Sequence, residues 1–134
     1  MPFDCAPSDQ QPSDAKRRAG KAAYLTGLAA EDTVARHYQD RGFTLLETRW
    51  RGICGEIDLI FTGPSGLVFV EVKKARTFDQ AAERLTLRQL TRIAKSAEDY
   101  VGNHFGDPFV LTRLDLAMVD ARGRVDVMEN LTLY

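Results

Sequence analysis

Histidine and cysteine are scarce in this chain, two of each in 134 residues. His37 and His104 stand alone, and Cys5 and Cys54 make no CxxC or His/Cys spacing, so nothing suggests a zinc site and no disulfide framework is expected. Long apolar runs are missing too. No stretch approaches the ~20 residues that span a bilayer, so no membrane association is expected. There is no glycine-rich phosphate loop and no internal repeat. An excess of one charge is likewise absent: 18 Lys and Arg stand against 19 Asp and Glu, so whole-chain charge neither marks nor excludes a polyanionic partner. Residues 1–18 are rich in Pro, Ser, Asp and Gln, lack the apolar segment of a signal peptide and read as a mobile tail. Residues 19–134 suit one domain around a single core, in a protein expected to be soluble and cytoplasmic.

What is present is concentrated between Gly55 and Lys73, GEIDLIFTGPSGLVFVEVK. Two apolar strands flank a Gly63-Pro64-Ser65-Gly66 turn, and Asp58, Glu71 and Lys73 interrupt them. Ionised groups among Ile57, Leu59, Ile60, Phe61, Val68, Val70 and Val72 cost several kcal/mol each unless they are paired or bind a metal, an order-of-magnitude expectation of about that size. A symmetric turn sets Thr62 opposite Leu67, and hence Asp58 opposite Glu71 and Glu56 opposite Lys73. Facing side chains lie about 4.5–5.5 Å apart at Cβ, and Glu71 and Lys73 leave one face of their strand. The three groups therefore form one cluster. Two carboxylates so close share a proton or a hard divalent cation, and Mg²⁺ is commonly held by one or two carboxylates with waters and phosphate oxygens. Taken alone, the hairpin also fits a one-sided sheet in which these groups face water and Lys73 pairs with Glu56.

A helix is expected from about Lys21 to Arg41, closed by Gly42. Leu28, Ala35 and Tyr38 share a face, and Glu31 falls among them, directed at the core side or reaching past its edge to water. A second amphipathic helix is expected from Gln80 to Gly102, with a basic ridge of Arg84, Arg88, Arg92 and Lys95 that could meet phosphates or be paired locally. Arg49 and Arg51 flank Trp50 before the GEID strand, with Trp50 read as core or rim packing before base stacking. Phe109 to Val119 and Arg124 to Met128 read as strands joined at Asp120 to Gly123. Asp115 suits a strand edge or a sheet-to-helix contact rather than the metal site.

The runs Gly27-Leu28-Ala29-Ala30-Glu31-Asp32, Arg41-Gly42-Phe43, Arg49-Trp50-Arg51, Gly55-Glu56-Ile57-Asp58-Leu59-Ile60 and Val68-Phe69-Val70-Glu71-Val72-Lys73 resemble the YraN-like family of small bacterial proteins. That family looks like the restriction-endonuclease-like superfamily with its PD-(D/E)xK site, to which archaeal Holliday junction resolvases also belong. The resemblance implies an α/β fold with an αβββαβ core, a central mixed sheet flanked by helices. It also implies a metal-dependent nuclease hydrolysing DNA phosphodiesters, structure-specific in repair or recombination. In that pattern Asp58 and Glu71 are metal ligands, Lys73 is the lysine of ExK, Glu31 is the helix glutamate of the resolvase-like branch, and the cofactor is Mg²⁺ or Mn²⁺. Candidate nucleic-acid contacts are Arg49, Arg51, Lys74, Arg76, Arg88 and Arg92. Ile57 replaces the proline that often precedes the aspartate, Ala30 a common glycine, and Gln89 a frequent lysine. A homodimer is a further expectation, since junction substrates have two-fold symmetry. The competing readings are a non-catalytic nucleic-acid-binding or repair-accessory protein that keeps the fold, and a protein-interaction module whose charged cluster is structural.

Overall fold

The computed structural model describes residues 14–106 and 110–131, with residues 14–26 described by backbone alone. Eight elements follow in order: α1 (Asp14–Gln39), β1 (Thr44–Arg51), β2 (Glu56–Gly63), β3 (Gly66–Lys74), α2 (Phe78–Glu83), α3 (Leu87–His104), β4 (Thr112–Val119) and β5 (Val125–Met128). The strands lie in one sheet in chain order. β1, β2 and β3 are antiparallel neighbours, β4 runs parallel to β3, and β5 returns antiparallel to β4. The parallel step needs a crossover, which α2 and α3 supply. This is the expected αβββαβ order in a mixed α/β sheet, with the second helix in two pieces and a fifth strand at the edge.

The helix break has a local cause. Thr86 accepts from Gln89 N–H while the Gln89 side chain accepts from Thr86 N–H, a reciprocal cap that starts α3 afresh. The continuous helix expected over 80–102 is thereby corrected. Helix α1 begins at Asp14, earlier than Lys21, across a stretch rich in Ala, Lys and Arg, which favour helix; residues 1–13 of the expected tail lie outside the described residues. Its end is as expected. Gly42 takes φ +88°, its N–H bonds Gln39 O at 3.1 Å and Phe43 N–H bonds Tyr38 O at 3.2 Å, the paired bonds of a left-handed helix stop. The strand at the chain's end starts at Thr112, and Phe109 lies outside the described residues. Cys54 is buried and disulfide-bonded, where no disulfide was expected.

Both faces of the sheet are covered, which is why β2, β3 and β4 are nearly continuous apolar runs. Ala30, Val34, Ala35 and Tyr38 of α1 pack on Leu59, Phe61, Val68, Val70, Ala117 and Val119. On the opposite face Ile93, Ala97 and Tyr100 of α3 pack on Ile57, Ile60, Leu67 and Phe69. Trp50 joins this second cluster, edge-on to Tyr100 with centroids 5.1 Å apart, so it packs at the rim.

One buried charge ties α1 to the sheet. Asp115 has no exposed surface, yet its carboxylate accepts from Tyr38 Oη at 2.6 Å, from Arg113 Nε and Nη2 at 2.9 and 3.0 Å, and from Asn130 N–H at 3.0 Å. Of the two roles its position suggested, strand edge and sheet-to-helix contact, it takes the second, on a strand interior to the sheet. Tyr38→Phe removes one of four donors, so the unfolding free energy in urea is expected to fall by about 1–2 kcal/mol with an unchanged m-value. No measurable loss would mean that the hydroxyl does not anchor α1.

Candidate active site

The hairpin register is the one that turn symmetry dictates, with Thr62 opposite Leu67 and Leu59 opposite Val70. Beyond Leu59 the main-chain ladder stops. Asp58, next in line and facing Glu71, takes over the pairing through its side chain: Oδ2 accepts from Val72 N–H at 2.8 Å. Strict alternation also fails here. Ile57 and Ile60 both pack on the α3 side while Leu59 and Phe61 pack on the α1 side. The two strands splay at Asp58, and the opening between them is where the charged groups collect.

Glu71 is buried at 9% exposure, and Lys73 Nζ lies 3.1 Å from its Oε1. Burial, then the facing Glu71 carboxylate, push Asp58 up to about 7, against the pull of the Val72 N–H. Burial also raises Glu71, opposed by the Lys73 ammonium. Raised by burial and by the facing Glu71 charge together, Asp58 is the member of the pair that favours a proton when no stronger positive charge is present. Oxygen donors that hold a proton for want of a stronger charge are suited to a hard cation. Lys73 belongs to this centre and not to Glu56, whose neighbour is Arg51 on β1 at 3.9 Å; the expected Glu56–Lys73 pairing is corrected because the strands have parted before reaching it.

Glu31 points toward the sheet from α1, with burial raising its pKa and Asp58 adding to the rise. Its carboxylate is held by Arg49 Nε at 2.9 Å. Thr48 pairs with Leu59 and Trp50 with Ile57, so Arg49 falls opposite Asp58, and it does so at φ +51°, a conformation that costs a non-glycine residue energy. Among the described residues no group of three or more His, Cys, Asp and Glu side chains converges as a ready-made metal cage. Asp58, Glu71 and Lys73 are together; Glu31 stands beside them, engaged by Arg49.

The other cations divide. Arg51 is exposed on β1, and Arg88 is exposed near the start of α3. Arg92 is half-buried and borders, with Glu56, Glu71 and Gln89, a cavity of about 160 Å³. Lys74 ends β3, and Arg76 lies two residues beyond it. The single basic ridge is corrected: Arg84 caps α2, with Nη1 donating to Lys74 O at 2.7 Å, and Lys95 pairs with Glu98 at 3.6 Å. The Val72 N–H escaped the sequence reading and left no signal there. Arg49 was expected at the site as a nucleic-acid contact, and its bond to Glu31 could have been found by counting β1 against β2 across the GEID strand.

The raised Asp58 value ties stability to pH. The folded state keeps this proton to higher pH than the unfolded chain does, so the stabilisation is complete below about pH 4 and is lost as pH rises through about 7. In chelator, the unfolding free energy of the wild type minus that of Asp58→Asn is expected to decline across that window. A difference that stays flat with pH would show that the Asp58 pKa is not raised in the folded state.

The family model described as "Uncharacterised protein family UPF0102" matches residues 30–129. A UPF0102 protein of Ruegeria pomeroyi is 43% identical over 111 residues, covering 83% of this chain and 90% of the relative. Another from Dinoroseobacter shibae is 44% identical over 119 residues, 89% of each chain. Among solved structures, that of a repair endonuclease from Pyrococcus abyssi aligns at TM-score 0.39 and 15% identity, covering 87% of this chain and 42% of that one. With the family model matching from Ala30 to Glu129 and relatives above 40% identity along nearly their whole length, this chain belongs to the UPF0102, or YraN, family.

Proposed function

We propose that this protein is a metal-dependent nuclease that hydrolyses nucleic-acid phosphodiesters, DNA foremost, in the cytoplasm. One observation carries the reading: the half-buried Asp58 and the buried Glu71 carboxyls face each other where β2 and β3 part, with a lysine ion-paired to Glu71. Asp58 and Glu71 would hold Mg²⁺ or Mn²⁺, with waters and a phosphate oxygen completing its shell. Bound there, the ion supplies charge neutralisation at the phosphoryl oxygens and a more acidic water. The chain's own residues do the positioning. The Val72 N–H fixes the Asp58 carboxylate, and Glu71 sets the Lys73 ammonium 3.1 Å from its own oxygen. From that position Lys73 orients the attacking water and stabilises negative charge as it grows on the phosphoryl group. Glu31 accepts from Arg49 and adds negative charge beside the pair, where it can hold an outer-shell water.

A second reading has its own support. No three-carboxylate set is preformed among the described residues, as would suit a nucleic-acid-binding protein that keeps the fold without cleaving. Purified protein is to be tested on duplex, flap, junction and single-stranded substrates with Mg²⁺ and Mn²⁺. The nuclease reading predicts metal-dependent cleavage that falls at least ~100-fold in Asp58→Asn and in Lys73→Ala. Affinity without cleavage would favour the second reading, and cleavage unchanged in both variants would reject the site.

A further inference from the structure

Beside Lys73, on the side away from α3, lies a cleft of about 630 Å³. Four cations border it, Lys73, Lys74, Arg76 and Arg84; its remaining lining is glycine, alanine and valine, with no carboxylate among the described residues. Lys73 is neutralised by Glu71, but Lys74 and Arg76 make no ion pair among the described residues, and neither does Arg84. Six ion pairs away from the cleft, among the described residues, show that this chain pairs its cations where acids are in reach. A concave surface carrying three uncompensated cations focuses positive potential and selects a polyanion.

The walls are fixed by backbone bonds. Ala75 N–H bonds Val119 O at 3.1 Å and Ala121 N–H bonds Arg76 O at 3.3 Å, pinning the chain beyond β3 to the end of β4 and its following turn. Buried Ala75 and Ala81 seat α2 on the sheet, and Arg84 Nη1 donates to Lys74 O at 2.7 Å. That bond joins two of the cations across the cleft and leaves most of the guanidinium's donors for a ligand. Gly27 of α1 forms part of the rim, and a Cβ built there meets nothing within 4 Å.

Resting on the nucleic-acid reading above, we propose that this cleft seats the phosphodiester backbone next to the cleavage point, with Lys74, Arg76 and Arg84 as its phosphate contacts. The strand then leaves the Asp58–Glu71 pair along the end of β3 and past α2, not along α3. Arg84 becomes a binding residue, and Arg88 and Lys95 do not.

The test is binding in chelator, so that it does not depend on catalysis. Fluorescence anisotropy of a labelled DNA duplex and a labelled single strand is followed over a range of KCl concentrations. Each lost phosphate contact lowers the slope of log affinity against log salt by about 0.7–0.9. The full-length variant Lys74→Gln/Arg76→Gln/Arg84→Gln is expected to lose about two to three units of slope and at least ~10-fold in affinity at low salt. Gly27→Glu, which places a carboxylate at the rim without a steric clash, is expected to weaken binding, while Gly27→Ala and the control Lys95→Gln bind as wild type. Wild-type slope and affinity in the triple variant and in Gly27→Glu would overturn the proposal, as would an equal loss in Lys95→Gln or a wild type without affinity for either probe. Cleavage assays separate this from the nuclease reading. If Asp58→Asn still cleaves while the triple variant loses its salt slope, the cleft stands and the catalytic centre does not. If Asp58→Asn is inactive while the triple variant keeps wild-type slope and KM, the reverse holds.

Discussion

Two carboxyl groups, the half-buried Asp58 and the buried Glu71, face each other at the point where two strands separate, and the rest of the molecule is arranged around that electrostatic conflict. Burial and the facing Glu71 charge push the Asp58 pKa up to about 7, and burial raises that of Glu71 as well. Such a pair is costly to fold and is relieved by positive charge. Lys73 supplies part of that relief at 3.1 Å; a divalent cation would supply more.

The scaffold keeps the conflict in place. The β2–β3 ladder holds register as far as Leu59 and Val70, after which Asp58 itself accepts the Val72 N–H. Apolar packing of α1 and α3 on opposite faces leaves the strand ends as the place where polar groups can gather. The Tyr38–Asp115–Arg113 network locks α1 against β4, and this fixes where Glu31 meets the sheet. Arg49 adopts a left-handed backbone to reach that glutamate.

The parts legible from sequence were those set by short-range rules. Turn symmetry gave the Thr62–Leu67 register, helical spacing placed Glu31 on the inner face, and Gly42 marked the end of α1. The break before α3 was also written locally, in Thr86 and Gln89, but the continuous apolar stripe through Leu90 and Ile93 masked it. Other features depend on contacts far apart in the chain. The splay at Asp58 arises because the packing of Ile57 against α3 competes with strand alternation, and no window of sequence shows that competition. Arg84 read as part of a ridge because its spacing matched Arg88 and Arg92, whereas its direction is set by the end of a different helix. The Arg49–Glu31 pair required knowing which strand lies beside the GEID segment.

The most direct measurement is calorimetric titration of wild type and Asp58→Asn with Mn²⁺ and Mg²⁺ near neutral pH, in buffers of different ionisation enthalpy. If Asp58 holds a proton that a cation displaces, wild type binds with an observed enthalpy that varies with the buffer, reporting proton release, and Asp58→Asn loses both binding and release. Absence of binding in the wild type, or equal binding in Asp58→Asn, would contradict the site at its centre.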